Sequence, residues 1–281
     1  MKNANPVSRR GGFALAILLT LPACGRNGSD HVAAVPPIPV GASAQAAAGI
    51  VRYTYEVVAA WPHDRAAFTQ GLVFRHGGFL ESTGLNGQST LREVEVKTGR
   101  VLKQVALAPQ YFGEGLAVVG DRVIQLTWQN RKAFVYDADT FRLEREFAYE
   151  GEGWGLTTDG RSLILSDGSS RLRFIDPATF VVTRTMEVTA QGRPVNRLNE
   201  LEFIHGEVFA NVWQSEEVMR IDPASGEVRG IVDFSGLLPP QDRRAGIDVF
   251  NGIAYDPATD RLFVTGKRWP TVFEVRLKVR P

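Results

Sequence analysis

From Val51 onward the chain alternates apolar and polar residues in short bursts. "RVIQLTW" (122–128), "RLRFID" (171–176) and "RLFVTG" (261–266) each carry a period of two and are bounded by Gly, Asp-Gly or Asp-Pro. That is the pattern of half-buried β-strands ended by turns. No stretch sustains a 3.6-residue period, so an all-β fold without long helices is expected. The bursts restart as units. Each opens with "TQGLVF", "GEGLAV", "GWGLTT", "LNELEF" or "FNGIAY", then turns into a second strand. A third follows, ending near Asp-Pro or Asp-x-x-Thr. The residue at the head of each opening changes: Gln70, Glu114, Trp154, Asn199, Asn251, spaced 44, 40, 45 and 52 apart.

Several strands per unit at a period of 40–50 residues is the signature of a β-propeller. A fourth strand follows the first four units ("LKQVALAP", "EREFAYEG", "VTRTMEV", "RGIVDFSG"), but the fifth unit ends at Pro281 without one. An open last blade would leave a bare strand edge. The run "TYEVVAAWP" (54–62) precedes the first unit and has the fourth-strand pattern, so it is expected to complete the last blade. The prediction is a five-bladed β-propeller over residues 51–281, closed by its N-terminal strand.

In such a ring the innermost strands line the axis and their starts converge at one mouth. Gln70, Glu114, Trp154, Asn199 and Asn251 would meet there. The ends of the second strands, Thr83, Trp128, Asp167, Trp213 and Lys267, return to the same mouth by antiparallel geometry. Taken singly, each has a plain structural reading. Glu114 and Lys267 could be a solvated carboxylate and its ion-pair partner, the asparagines and Asp167 turn residues, and Trp128 and Trp213 packing between blades. Trp154 resists that reading because Gly153 and Gly155 clear space around it. Trp61 and Trp269 read as packing or rim. The argument for a site is convergence: every repeat puts a different functional side chain in one slot.

The first 24 residues read as an export signal. Lys2, Arg9 and Arg10 precede the apolar "FALAILLTLP", too short to span a membrane. "LPACG" then resembles a bacterial lipobox, with Cys24 as the lipidation site; Pro22 is atypical for that box. A plain secretory signal remains the alternative, and "SRRGGF" faintly resembles a twin-arginine signal. Residues 25–50, rich in Ala, Pro, Gly and Ser, read as a flexible tether. The expected location is exported, in the periplasm and held to the membrane as a lipoprotein. The composition narrows the chemistry further. A net charge of +1 suggests no nucleic-acid partner, the single cysteine excludes a disulfide framework or Cys-rich zinc site, and the four scattered histidines show no ligand spacing. No metal and no cofactor is expected, and a tethered propeller is expected as a monomer.

"FTQGL", "FGEGL", "EGWGL", "LNELEF" with "NVW", and "FNGIAYDP" with "VTGK-WP" together resemble the glutaminyl-peptide cyclotransferases of the plant or papaya type, which have exported bacterial members. The resemblance runs over residues 52–277. It implies a metal-independent five-bladed propeller, an acyltransferase that turns the N-terminal glutamine of peptides and proteins into pyroglutamate with release of ammonia. It implies Glu114 as the acid/base carboxylate, with Trp154, Asn199, Trp213 and Lys267 on active-site motifs and Gln70, Phe112 and Trp128 on pocket positions.

The residues suit that reaction on chemical grounds. The α-amine attacks its own side-chain amide, so the enzyme must mainly fold the substrate and move protons. One carboxylate can serve both nitrogens. Burial among tryptophans would raise its pKa and Lys267 would lower it, and the sequence leaves that contest open. Asn199, Lys267, Gln70 or an indole N–H could meet the oxyanion. Two other readings stand. One is a non-catalytic propeller binding a peptide or ligand at the same mouth. The other is a calcium-dependent lactonase-like propeller using Glu114, Asn199 and Asn251, though such propellers usually have six blades.

Overall fold

Each alternating run becomes a strand in the computed structural model, which describes residues 49–243 and 246–281. The signal segment, Cys24 and residues 25–48 of the expected tether lie outside the described residues. The one helical element among the described residues is a single turn at Pro240–Asp242.

The strands run in chain order around a nearly closed barrel of curled sheets. After β1 (Val51–Pro62), strands β2 (Thr69–Arg75), β3 (Gly78–Thr83), β4 (Thr90–Glu95) and β5 (Val101–Ala106) make one antiparallel sheet. Strands β6 (Gly113–Val119), β7 (Arg122–Thr127), β8 (Lys132–Asp137) and β9 (Leu143–Ala148) make the next. Strands β10 (Leu156–Thr158), β11 (Leu163–Ser166), β12 (Arg171–Ile175) and β13 (Val182–Glu187) follow, then a small pair, β14 (Thr189–Ala190) with β15 (Arg193–Pro194). Strands β16 (Leu198–Ile204), β17 (Glu207–Val212), β18 (Glu217–Ile221) and β19 (Val228–Asp233) join β20 (Phe250–Asp256), β21 (Arg261–Gly266) and β22 (Thr271–Val279) in one eight-stranded sheet.

Strand β1 is the joint of that sheet. It pairs antiparallel with β22 from Tyr53 to Pro62, as the sequence led us to expect of residues 54–62. It also pairs parallel with β19 over Val51–Tyr53, which the alternation did not show. Strand β2 neighbours both β6 and β20, β10 lies between β6 and β16, and β16 meets β20, so the innermost strands form a ring.

The repeated Asp-Pro and Asp-x-x-Thr signals have a local cause. The Oδ1 atoms of Asp137, Asp176 and Asp222 each accept a main-chain N–H two or three residues on, at 2.8–3.0 Å, folding the third-to-fourth strand turn, and Asp256 does the same at 3.1 Å in the turn from β20 to β21. The core is split into layers between adjacent sheets. Leu80 and Leu91 meet Leu116 and Phe134, Leu156 meets Ile124 and Leu126, and Leu72 and Phe79 close onto Ala254 and Phe263. Burying each layer therefore requires the sheet beyond it, which couples the ring into one unit.

Candidate active site

The variable slot is a β-bulge. Register breaks between Thr69 and Gly71, Gly113 and Leu116, Leu198 and Leu201, and Phe250 and Ile253, just where Gln70, Glu114, Asn199 and Asn251 lie. A bulge frees a residue from the ladder and re-aims its side chain. Trp154 differs, since β10 begins only at Leu156 and the indole stands before the strand. The glycines that follow let the ring close. A Cβ on Gly71 would lie 2.7 Å from Leu116 N, and one on Gly115 2.6 Å from Gly155 C.

The structure brings the expected residues together. Gln70 Nε2 donates to Glu114 Oε1 at 3.0 Å, and both side chains are buried. Lys267 is also buried, with Nζ 4.9 Å from the Phe68 ring. Phe68 stands edge-on to Phe112 at 6.0 Å, and Phe112 to Trp128 at 5.6 Å. Trp154 packs edge-on against Trp213 at 5.8 Å. Asn199 is 2 % exposed and its carbonyl accepts from Ser166 Oγ at 2.6 Å, which fixes it beside Gly155.

Glu114 settles the contest left open above. Burial pushes its carboxyl well above the usual carboxylate range; Lys267 draws it down and Glu152 adds to the rise. Burial likewise lowers Lys267, against the pull of Glu114 and Asp248. Burial disfavours the charged form of each, so Glu114 holds its proton more firmly than it would in water and Lys267 less firmly.

One expected placement changes, and two further residues are held in structural bonds. Thr83 is turned away from the mouth, bonded to Thr90 through their hydroxyls at 2.8 Å. Its slot is taken by Gly84, whose N–H meets Phe68 O as Trp128 N–H meets Phe112 O. A side chain there would collide with Phe112, a Cβ lying 2.6 Å from its Cζ, so glycine makes the room that the ring occupies. Asp167 caps a turn, accepting from Ser169 N at 3.1 Å, and faces Arg173 at 3.6 Å. Asn251 donates to Thr69 O at 3.0 Å across the ring seam, a structural bond.

Glu152 was not singled out from the sequence. Its Oε2 accepts from both Trp128 Nε1 (2.7 Å) and Trp154 Nε1 (2.9 Å), and its Oε1 from Gln129 at 3.0 Å. These bonds hold the Glu152 carboxyl below its ordinary range even though burial opposes them. Two indoles from different sheets are thus pinned by one carboxylate, and their N–H groups are spent there rather than on an oxyanion. The signal was present as a glutamate two residues before Trp154, but its second partner is far away in sequence. Among the described residues, no three His, Cys, Asp or Glu side chains group as a metal site. A cavity of about 720 Å³ is lined by Trp213, Asp248 and Trp269, and Glu114 is not among its lining residues.

The arrangement is that of a small buried acid/base site walled by aromatic rings, on a propeller-like all-β scaffold. Residues 32–277 match the glutamine cyclotransferase family model, and the chain belongs to that family. It is 46 % identical over 229 residues to glutaminyl-peptide cyclotransferase of Arabidopsis thaliana, covering 79 % of this chain and 71 % of that protein. It superposes on the crystal structure of Myxococcus xanthus glutaminyl cyclase with a TM-score of 0.78 and 40 % identity, covering 83 % of this chain and all of the other.

Proposed function

We propose that Glu114 drives the cyclisation of N-terminal glutamine in this glutaminyl-peptide cyclotransferase, without a metal, in a mouth built by five blades of which β1 completes the last. On this count the eight-stranded sheet is two blades joined at β1. The observation that carries the proposal is a carboxyl that is buried, raised, and bonded to Gln70 within reach of Lys267's charge.

The terminal glutamine folds so that its α-amine approaches its own Cδ. Edge and face contacts from Trp154, Trp213, Trp128 and Phe112 hold the flat amide and keep water out, which favours ring closure over hydrolysis. Glu114 takes a proton from the attacking nitrogen as the N–Cδ bond forms. It returns that proton to the departing nitrogen as the Cδ–NH2 bond breaks and ammonia leaves. Burial, which lifts the carboxyl well above the usual carboxylate range, narrows its gap to an α-amine and eases both transfers. Negative charge on the amide oxygen is met by Lys267 and Asn199, since the Trp128 and Trp154 N–H groups are committed.

The plant-type assignment, the exported lipoprotein state through Cys24 and the monomeric state rest on sequence alone. The test of the activity is ammonia release from a glutamine-initial peptide by the full chain in EDTA, with mass spectrometry for loss of one ammonia. Release that is unaffected by EDTA is expected. Neither release nor peptide binding, with ligand effects only when calcium is added, would favour the lactonase-like reading, and binding without release the non-catalytic one.

A further inference from the structure

The catalytic cluster is closed on itself. Glu114, Gln70 and Lys267 are each 5 % exposed or less, so little of a substrate beyond its terminal residue can reach them. The rest of a peptide substrate must leave past a wall. Trp213 is that wall. One side packs on Trp154; it also lines the cavity of about 720 Å³. That volume lies in the ~300–1,000 Å³ range of pockets that enclose a ligand. The cavity also abuts Lys267 through the main chain: Lys267 N–H donates to Val249 O at 2.9 Å, and Asp248 N–H to Lys267 O at 3.1 Å.

The lining has a chemical bias. Leu238 and Trp269 supply apolar surface, and Glu216, Arg243 and Asp248 supply charge. Arg243 is already occupied. Its Nη2 donates to Glu216 Oε1 at 2.7 Å and its Nε to Leu238 O at 3.2 Å. Asp248 Oδ1 accepts from the Val249 N–H at 2.7 Å, and among the described residues Asp248 is in no ion pair. The unbalanced charge on the described lining is therefore negative, above an apolar floor. A lysine or arginine matches it, with the alkyl stem on the floor and the cationic head at Asp248.

We propose that this cavity is the subsite for the residue that follows glutamine, and that Asp248 makes it favour lysine or arginine there over aspartate or glutamate. The inference deepens the cyclotransferase reading and rests on it. The test compares ammonia release from Gln-Lys-Ala-Ala, Gln-Ala-Ala-Ala and Gln-Glu-Ala-Ala, with glutamine amide as the substrate lacking a second residue. At low ionic strength kcat/KM should fall in the order Lys, Ala, Glu, with the outer two about tenfold apart, mostly in KM. Added salt should shrink that ratio. Asp248→Asn should bring the ratio towards one. Because Asp248 also acts on Lys267, the variant will change the rate on every substrate, glutamine amide included, so the ratio is the readout. A ratio near one in the native chain, or one unchanged in Asp248→Asn, overturns the subsite. Peptide affinities measured by tryptophan fluorescence on Glu114→Gln should rank the same way without turnover. Thus no ammonia release by the native chain, with peptides still ranked by affinity, refutes the chemistry and keeps the subsite, and equal affinities refute the subsite.

Discussion

Glu114 and Glu200 occupy nearly the same place in two repeats, yet the fold gives them different partners. Glu114 heads the opening of β6; Glu200 sits one slot later in β16, where the other openings carry Gly71, Gly115, Gly155 and Gly252. Both are buried, and burial raises both well above the carboxylate range. Their neighbours differ. Glu200 Oε1 accepts from Leu72 N at 3.2 Å and Oε2 from Ile253 N at 2.9 Å, so it ties β2, β16 and β20 together. Glu202 stands nearby and raises it further. Glu114 instead has one side-chain partner, Gln70, and a lysine opposing the effect of burial. A carboxyl satisfied by main-chain amides is a staple. One with oxygen to spare beside a cation can trade protons.

The contrast is sharpest under truncation. Glu200→Ala should orphan two buried amides, at about 1–3 kcal/mol each, and should lower the denaturant midpoint while the folded fraction keeps its kcat. A variant of native stability would remove the staple. Glu152→Gln should act on the mouth alone. It takes away the charge that holds two indoles and a charge that raises Glu114, so kcat/KM should drop about tenfold, worth ~1.4 kcal/mol. The limb of the pH profile that reports Glu114 should move to lower pH. A rate loss with no movement of that limb would confine Glu152 to packing.

The smallest effect concerns pH at the other end of the channel. Glu202 faces a cavity of about 440 Å³ formed by the far ends of the innermost strands, accepts from Tyr255 N at 3.1 Å, and is pushed from 4.5 up to about 8 by burial. A carboxyl whose folded pKa is raised binds its proton better in the folded state. Its contribution is present at pH below about 4.5 and is lost as pH climbs to about 8. Melting temperature should therefore slope downward over that window, and Glu202→Gln, which keeps a neutral side chain, should flatten the slope. An equal slope in the variant would assign it elsewhere.

The repeat made the ring legible because the units restart with the same strand and turn, three of them with an aspartate cap between their third and fourth strands. The slot was legible because Gln70, Glu114, Trp154, Asn199 and Asn251 vary against a constant background. What stayed hidden depends on partners distant in sequence. The Glu152 clamp needs Trp128 from another sheet. Gly84 rather than Thr83 matches Trp128 because Thr83 pairs with Thr69 as Thr127 pairs with Gly113, a register that alternation does not report. Glu200 looked like a strand residue because its two amides come from β2 and β20. The protonation of Glu114 hung on the balance between burial and Lys267, which is a matter of distance.

The central claim is that Glu114, and not the equally buried Glu200, carries the proton. It is tested most directly by ammonia release from a glutamine-initial peptide with folded Glu114→Gln and folded Glu200→Gln side by side. The account predicts that Glu114→Gln keeps its melting temperature and loses about two to four orders of magnitude in kcat, while Glu200→Gln keeps most of its turnover. Near-native turnover by Glu114→Gln, or an equal loss in both variants, would contradict it.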